Sequence, residues 1–252
     1  MVSVTGLSNT LGTVVDLPRV VTMTRMVGAK VCVDAAQLVA HFPVDVQKLD
    51  VDFLAFSSHK LYGPTGVGVL WARREILEAM GPWLGGGDMI REVTVEGATW
   101  NDLPWKFEAG TPPIAEILGL GAAIDFLNGV GGGASWEFVR AQDQALMNYA
   151  VERLDTMKGV KLFGVGGHAR GGRGSMPVGS LSFQVEGIHS HDVAAILGEQ
   201  GVCVRAGHHC CMPLMKVLGV SGTTRASFGL YNEKSDVDRL VEGLGKVLSV
   251  FN

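Results

Sequence analysis

Short, nearly uniform apolar runs alternate with amphipathic stretches along this chain, and this alternation restricts its fold more than any other feature. Residues 30–34, 52–57 and 67–71 are apolar runs with little polar alternation, as expected for strands that are covered on both faces. Helical patterns lie at 16–27 and 114–127. Strands interleaved with helices predict an α/β fold with a mainly parallel sheet.

A second alternating series follows a long helical pattern at 137–157. Strands are predicted at 179–185, 201–205 and 225–228, and helices at 191–199 and 234–250. The glycine-rich stretches 129–133 and 164–174 are predicted to be loops. We therefore expect two domains, with residues 1–128 forming a large domain around the parallel sheet and residues 129–252 forming a smaller α+β domain.

Charge and hydropathy exclude several classes of function. The formal net charge is −4, so the basic surface typical of nucleic-acid binding is not expected. The longest apolar stretches, such as 67–72, are shorter than the roughly 20 residues that a membrane helix needs, and no signal sequence opens the chain. Two of the four cysteines are adjacent and the other two lie in apolar runs, which is not a disulfide framework. These features predict a cytoplasmic protein that binds neither nucleic acid nor membrane.

Polar side chains gather at the ends of two predicted strands in the first half. Asp34 and Gln37 follow one strand, and Ser57, His59 and Lys60 follow the next. The ends of parallel strands face one crevice, where open α/β folds bind ligands. A lysine directly after an apolar strand can be desolvated enough to form a Schiff base with an aldehyde, and an aspartate there suits a protonated pyridine nitrogen. The alternative is a solvated lysine and a turn aspartate.

A second cluster follows an apolar run in the other half. Arg205, His208 and His209 precede the adjacent thiols of Cys210 and Cys211. One interpretation is a soft-metal site, although structural zinc sites space their ligands more widely and recruit a second pair, so we predict no metal. The other is a thiolate favoured by the neighbouring histidines and arginine. Further on, the guanidinium of Arg225 matches a carboxylate, unless it forms a surface ion pair.

Four segments together resemble the class V aminotransferases, which are pyridoxal 5'-phosphate (PLP) enzymes of fold type I, and in particular the cysteine desulfurases of the SufS type. They are VDAAQ at 33–37, SSHKLYGPTG at 57–66, FEAGTP at 107–112 and RAGHHC at 205–210. The short RAGHHC segment separates the SufS type from the IscS type, whose catalytic loop is longer. The resemblance implies that residues 1–128 are the C-terminal part of the PLP-binding domain and that residues 129–252 are the small domain.

The resemblance also implies a role for each candidate in the first half. Lys60 would form the Schiff base with PLP, Asp34 would pair with its pyridine nitrogen and Gln37 would bind its phenolic oxygen. Ser57 and His59 would hold the phosphate. In the family, the threonine matching Thr111 reaches the phosphate of the neighbouring subunit, which implies a homodimer.

In the second half, the resemblance makes Cys210 the nucleophile that takes sulfur from L-cysteine and carries it as a persulfide. Arg225 and Asn9 would bind the substrate carboxylate, while Arg205 and His209 would shape the loop around Cys210. An acceptor of the SufE or SufU type would then pass the sulfur to iron–sulfur assembly. A selenocysteine lyase and a non-catalytic fragment that acts through dimer or partner binding are the alternatives.

Two departures from the family pattern stand out. The family commonly has alanine where this chain has Cys211, so a second thiol adjoins the predicted nucleophile. The family portion before the match at Asn9, including a phosphate loop and a histidine that stacks on the cofactor ring, has no counterpart in this sequence. We therefore expect a chain that lacks the N-terminal portion of the family and is inactive alone. A plastid location is the alternative to the cytoplasm if the source is eukaryotic.

Overall fold

The computed structural model describes residues 1–133, 135–165 and 176–251, and the chain divides into two compact units. The first unit contains Met1–Gly6 and Asp16–Gly133, and the second contains Leu7–Val15 and the residues after Gly133. The sequence-based division lay at 128/129 and left residues 7–15 in the first domain. Those residues belong to the second unit because Gly12 O accepts a bond from Val178 N–H (2.8 Å) and Ser182 Oγ donates to Thr10 O (2.6 Å).

A four-stranded sheet forms the centre of the first unit. Its strands are β1 (Val2–Thr5), β2 (Val31–Asp34), β3 (Phe53–Ser57) and β4 (Gly68–Ala72), in spatial order β1-β2-β3-β4. The first three strands are parallel and β4 is antiparallel to β3. Residues 58–67 connect β3 to β4, and this segment is too short for the crossover of about a dozen or more residues that a parallel return needs. Val31, Val33 and Leu54 are buried, which explains the uniform apolar runs.

Four helices and a hairpin complete the first unit. They are α1 (Leu17–Met26), α2 (Val46–Leu49), α3 (Arg74–Ala79), β5 (Ile90–Val93), β6 (Ala98–Trp100) and α4 (Ile114–Gly129). Helix α1 begins where the side chain of Asp16 accepts a hydrogen bond from Arg19 N–H, and Pro18 lies in its first turn. Gly28 follows the helix with a φ of +66°, as the sequence predicts.

A buried carboxylate fixes the entry of β2 into the sheet. Asp52 is 1% exposed and accepts hydrogen bonds from Val31 N–H (2.7 Å) and Arg25 Nη1 (2.6 Å). Lys30 and Arg73 add ion pairs at 3.7 and 3.4 Å. Burial alone would raise the pKa of Asp52, but these hydrogen bonds and cations outweigh it and lower the pKa. The carboxylate therefore stays charged and ties α1 to the start of β2.

Helix α4 has an unusually exposed apolar surface. Together with the turn after it, Ile114–Gly133 is long and apolar enough to cross a membrane, and 17% of its apolar window is buried. Five apolar side chains are at least 39% exposed: Ile114, Ile117, Leu118, Ile124 and Phe126. The expectation that no apolar stretch reaches membrane-spanning length was therefore wrong. One such helix is weak evidence for a span, because helices of soluble proteins can have the same length and composition.

An antiparallel sheet packed against helices forms the second unit. Its strands are β7 (Val160–Phe163), β8 (Ser180–Val185), β9 (Arg205–Gly207) and β10 (Thr223–Ser227), in spatial order β7-β8-β10-β9. Its helices are α5 (Ser135–Asp155), α6 (Ser190–Glu199), α7 (Met212–Leu218) and α8 (Lys234–Phe251). One apolar core joins sheet and helices and includes the fully buried side chains of Leu154, Phe183, Leu197 and Leu244. This architecture confirms an α+β arrangement in the second half.

The predicted strand at 201–205 was wrong for all but its last residue. Gly201 N–H donates to Gly198 O and Val202 N–H donates to Leu197 O, so these residues close the end of α6. Strand pairing with β10 begins only at Arg205. The apolar run at 201–205 is therefore mostly the segment that closes helix α6, and not a strand. The predicted loop at 164–174 lies largely outside the described residues.

Candidate active site

The sheet of the first unit brings Asp34 and Ser57 to the same edge. They end β2 and β3, which are parallel neighbours, and Asp34 pairs in register with Ala55. Asp34 Oδ1 accepts a hydrogen bond from Ala36 N–H at 2.9 Å, and its side chain is exposed. Gln37 begins the short 3₁₀ turn that follows. The carboxylate is thus oriented by its own backbone and remains accessible to a ligand.

A tight turn positions Lys60 directly after β3. Leu61 N–H and Gly63 N–H both donate to Ser58 O, at 2.8 and 3.1 Å. Ser58 is fully buried and its Oγ has no hydrogen-bond partner, while a Cβ at Gly63 would lie only 2.2 Å from that oxygen. A side chain at 63 would therefore force the buried Ser58 hydroxyl to move. His59 and Lys60 project from it with exposed side chains.

Exposure of Lys60 contradicts the expectation that the strand end desolvates its amine. The described residues do not exclude water from it. Thr111 is also exposed, in the turn before α4, and follows Gly110, whose φ is +85° and whose N–H donates to Gly87 O at 2.9 Å. Most of the polar candidate residues of the first unit are therefore exposed in this chain.

In the second unit, a strained turn between β9 and α7 presents Cys210. Cys211 N–H donates to His208 O at 2.8 Å and closes the turn. His209 and Cys210 have φ values of 53° and 60°, so two consecutive non-glycine residues adopt the left-handed conformation. Such strain persists only where surrounding contacts enforce it, and it concentrates at functional sites. The Cys210 side chain is exposed, and Arg205 Nη2 lies 3.4 Å from its Sγ.

His209 anchors this turn in the protein interior. Its side chain is buried, and Nε2 lies 2.9 Å from Thr223 Oγ1 and 3.1 Å from Thr223 O. Burial, and then the positive charge of Arg225, lower the pKa of His209 to about 4. The imidazole is therefore neutral near pH 7, and the expectation that it favours a thiolate through positive charge was wrong. Arg205 is the cation in contact with the sulfur.

Arg225 occupies the middle of β10, opposite Arg205 in β9. Its Nη1 donates to Asn9 O at 2.7 Å, while its Nε is buried and has no hydrogen-bond partner. Burial, and then the charge of Arg205, lower the pKa of Arg225 below its ordinary value. A buried N–H donor without an acceptor is costly, so this guanidinium is suited to a ligand carboxylate.

Asn9 connects the two parts of the second-unit cluster. Its Nδ2 donates to His209 O at 2.7 Å, and its backbone oxygen accepts the bond from Arg225. The sequence predicted a substrate contact for Asn9, but these protein contacts span at least 200 residues and no local pattern indicates them. Thr223 was also missed, although it lies two residues before Arg225 in a strand and therefore shares its face.

The described residues contain no group of three or more histidine, cysteine or acidic side chains that could hold a metal ion. The ring of His209 is instead engaged by Thr223. Among the described cysteines, all four are free thiols. Within the second unit, hydrogen bonds and strand pairing thus bring together an exposed thiol and a partly buried guanidinium, in a cluster formed by Asn9, Arg205, His209, Cys210 and Arg225.

Comparison with known proteins identifies the family. Residues 1–240 match the family described as aminotransferase class-V. The chain belongs to this family. It is 48% identical to a cysteine desulfurase of Haloferax volcanii over 251 residues, covering 100% of this chain and 56% of that protein. This chain therefore spans a little over half the length of the curated relatives that it matches.

Solved structures of class V family relatives confirm the predicted fold. The cysteine desulfurase CsdA of Escherichia coli superposes with a TM-score of 0.88 at 42% identity, covering 98% of this chain and 59% of that one. The apo cysteine desulfurase of Thermococcus onnurineus superposes with a TM-score of 0.89 at 37% identity, with the same coverage. The prediction of a fold type I α/β domain followed by a smaller α+β domain is confirmed at the level of the fold.

Proposed function

We propose that this chain provides the catalytic lysine and cysteine of a PLP-dependent cysteine desulfurase. The observation that carries the proposal is the cluster in the second unit. There, an exposed thiol on a strained turn contacts Arg205, and Asn9 connects that turn to Arg225, whose Nε lacks an acceptor. A reactive thiol and a carboxylate receptor are the two groups that sulfur removal from an amino acid requires.

The first unit offers a donor set that fits PLP. Asp34 presents an exposed, oriented carboxylate for a protonated pyridine nitrogen, and Lys60 presents an accessible amine for the aldehyde. Ser57 and His59 offer a hydroxyl and an imidazole for the phosphate, and Gln37 offers an amide for the phenolic oxygen. When bound, the cofactor supplies an electron sink for the carbon skeleton of the substrate.

Cys210 performs the sulfur transfer in this proposal, while Arg225 holds the substrate carboxylate. The Cys210 thiolate attacks the sulfur of L-cysteine, so an S–S bond forms as the substrate Cβ–S bond breaks. The bonding pair stays with the carbon fragment, which takes up a proton and leaves as L-alanine. Cys210 then carries the sulfur as a persulfide. Arg205 Nη2, at 3.4 Å, is the cation in contact with the attacking sulfur.

The short turn supports assignment to the SufS type. Only residues 208–211 separate the end of β9 from the start of α7, so the reactive cysteine lies on a compact turn rather than a long loop. By extension, we propose a SufE- or SufU-type acceptor that feeds iron–sulfur cluster assembly, and a cytoplasmic location. We further propose a homodimer in which Thr111 serves the cofactor phosphate of the neighbouring subunit.

Cofactor attachment is the first test. The purified chain is mixed with PLP, reduced with borohydride and digested, and we expect the cofactor to be found on Lys60 and to be lost in Lys60→Ala. Sulfide and alanine release from L-cysteine is then measured for the chain and for Cys210→Ser. Parallel assays with L-selenocysteine separate a desulfurase from a selenocysteine lyase. Absence of PLP on Lys60 would reject cofactor binding by this chain.

A further inference from the structure

We propose that Asn9 is a positioning residue that holds the Cys210 turn in its reactive conformation and links it to Arg225. This role rests on the proposed function, which makes Cys210 the nucleophile. It is separate from any contact with substrate, because one of the two Nδ2 hydrogens of Asn9 is already used within the protein and the other remains available. The side chain donates from Nδ2 to His209 O at 2.7 Å, one residue before the reactive cysteine.

The turn needs external contacts because its own backbone opposes its conformation. His209 and Cys210 are both left-handed, which side chains with a Cβ disfavour. Two groups hold His209 from different sides: Thr223 contacts the ring, and Asn9 contacts the carbonyl oxygen. The carbonyl of His209 belongs to the peptide that leads into Cys210. Losing the bond from Asn9 therefore releases the peptide unit that orients the thiol.

Asn9 is itself well suited to act as a rigid support. It lies in a tight turn in which Ser8 N–H donates to Thr13 O at 2.9 Å and Gly12 N–H donates to Ser8 O at 3.1 Å. Gly12 O accepts a hydrogen bond from Val178, which ties the turn to the chain beside β8. A Cβ at Gly12 would lie 2.6 Å from Ser180 O, so this close approach requires glycine. The turn that carries Asn9 is thus held in place by its own contacts, independently of the Cys210 turn.

The second contact of Asn9 links the thiol to the carboxylate receptor. Arg225 Nη1 donates to the backbone oxygen of Asn9 at 2.7 Å, while Arg225 Nε remains without an acceptor. One residue thus contacts both the guanidinium and the peptide before Cys210. A carboxylate bound by Arg225 is therefore one contact away from Asn9, the residue that holds the peptide before Cys210. Asn9 accordingly sets the placement of the nucleophile relative to the bound substrate.

Alkylation of Cys210 by iodoacetamide at pH 7 tests this role without cofactor or substrate. The rate is followed by peptide mass spectrometry in a Cys211→Ala background, with the exposed thiol of Cys203 in the same molecule as internal standard. We expect Asn9→Asp and Asn9→Ala to slow alkylation at Cys210 by about fivefold, the effect of losing one hydrogen bond and its orientation. The rate at Cys203 stays unchanged.

Asn101→Asp is the matched control, because Asn101 also donates its amide to a backbone oxygen, that of Asp88 at 2.9 Å, but in the first unit. It leaves the Cys210 rate unchanged. Equal Cys210 rates in the parent and both Asn9 variants overturn the positioning role. Equal losses at Cys210 and Cys203 also overturn it, since they indicate general unfolding. Asn9→Asp keeps the side-chain shape and serves if the alanine variant fails to fold.

The outcome for Asn9 is distinguishable from the outcome for the proposed function. If the parent releases neither sulfide nor alanine, the desulfurase proposal fails, yet the alkylation rates still report on the turn. If the parent is active, we expect Asn9→Asp to lower kcat, because a positioning residue acts on the nucleophile. A rise in KM at unchanged kcat assigns Asn9 to substrate binding and contradicts the positioning role.

Discussion

The two units present their candidate functional residues in opposite ways. In the first unit, Asp34, His59, Lys60 and Thr111 are exposed. In the second, the ring of His209 is buried against Thr223, and Asn9 contacts both the Cys210 turn and Arg225. The thiol site is thus pre-organised by this chain, whereas the described residues of the first unit leave the proposed cofactor site open to solvent. The second unit carries backbone strain at His209 and Cys210, and the first unit has exposed apolar side chains on α4.

The largest expected effects come from removing one reactive group in each unit. Lys60→Ala is expected to abolish PLP attachment while the Cys210 alkylation rate stays at the parent value. Cys210→Ser is expected to leave PLP attachment to Lys60 intact and, if the parent releases sulfide, to abolish that release. Both results follow because each group is held by contacts within its own unit. Borohydride trapping and thiol alkylation are measured on the same samples.

An effect of either substitution on the other unit would contradict this comparison. If Lys60→Ala changes the Cys210 rate, or if Cys210→Ser prevents PLP attachment, the two sites are not independently organised. Thermal unfolding of each variant excludes a general loss of structure as the cause. The paired design therefore separates local chemistry from folding in both units.

Acid sharpens the comparison, because the units carry different buried titrating groups. The pKa of His209 is about 4 when folded, against an ordinary value of about 6.5, so the folded state binds fewer protons between these values. Its contribution to stability is complete above pH 6.5 and is lost as the pH falls to 4. The expected loss in the second unit is about 3 kcal/mol, and His209→Gln is expected to flatten this dependence.

Hydrogen exchange resolved by peptide measures this difference directly. Between pH 6.5 and 4, protection of β8 and β10 is expected to fall in the parent but not in His209→Gln. Protection of β2 and β3 is expected to remain, because the pKa of the Asp52 carboxylate is lowered and its ion pairs persist over this range. Equal loss of protection in both sheets would contradict the assignment to His209.

Particular residues show how far sequence alone carries such a comparison. The motifs around Asp34, Lys60 and Cys210 are local, and the apolar runs of β2 and β3 report burial at those positions, so both were predictable. The hydrogen bond from Asn9 to His209 joins positions 200 residues apart. The spacing of apolar residues reports local secondary structure and does not indicate which distant segments meet. The exposure of Lys60 was missed because an apolar run indicates that the strand itself is buried. It does not indicate whether the residue after the strand is buried as well.

A smaller effect is expected from the carboxylate that organises the first unit. Asp52→Asn removes the charge that pairs with Arg25, Lys30 and Arg73. We expect the free energy of unfolding of the first unit to fall by about 2 kcal/mol, because partly buried cations lose their partner. The pKa of Asp52 is lowered on folding, so its contribution is present above pH 4 and is lost as the pH falls further.

Urea unfolding at pH 7 and pH 3 checks this prediction. The difference between parent and Asp52→Asn is expected to shrink at pH 3, because the unfolded carboxylate, with its ordinary pKa of 3.8, binds protons there that the folded one resists. Asp45→Asn is a suitable control, because Asp45 is half exposed and caps α2 rather than holding a buried network. A difference that persists unchanged at pH 3 would show that the charge of Asp52 is not what stabilises the unit.

The smallest expected effect, and the only gain in stability, comes from Ser58. Its hydroxyl is fully buried next to Gly63 and has no hydrogen-bond partner, so folding removes it from water without compensation. Ser58→Ala deletes that cost and leaves almost no cavity, and we expect the first unit to gain about 1 kcal/mol in free energy of unfolding. Urea unfolding measures the gain.

Ser57→Ala is the control, since Ser57 is only half-buried and its replacement is expected to have little effect on stability. A loss of stability in Ser58→Ala would mean that the hydroxyl has an acceptor in solution, and that the turn carrying Lys60 is held more firmly than its contacts indicate.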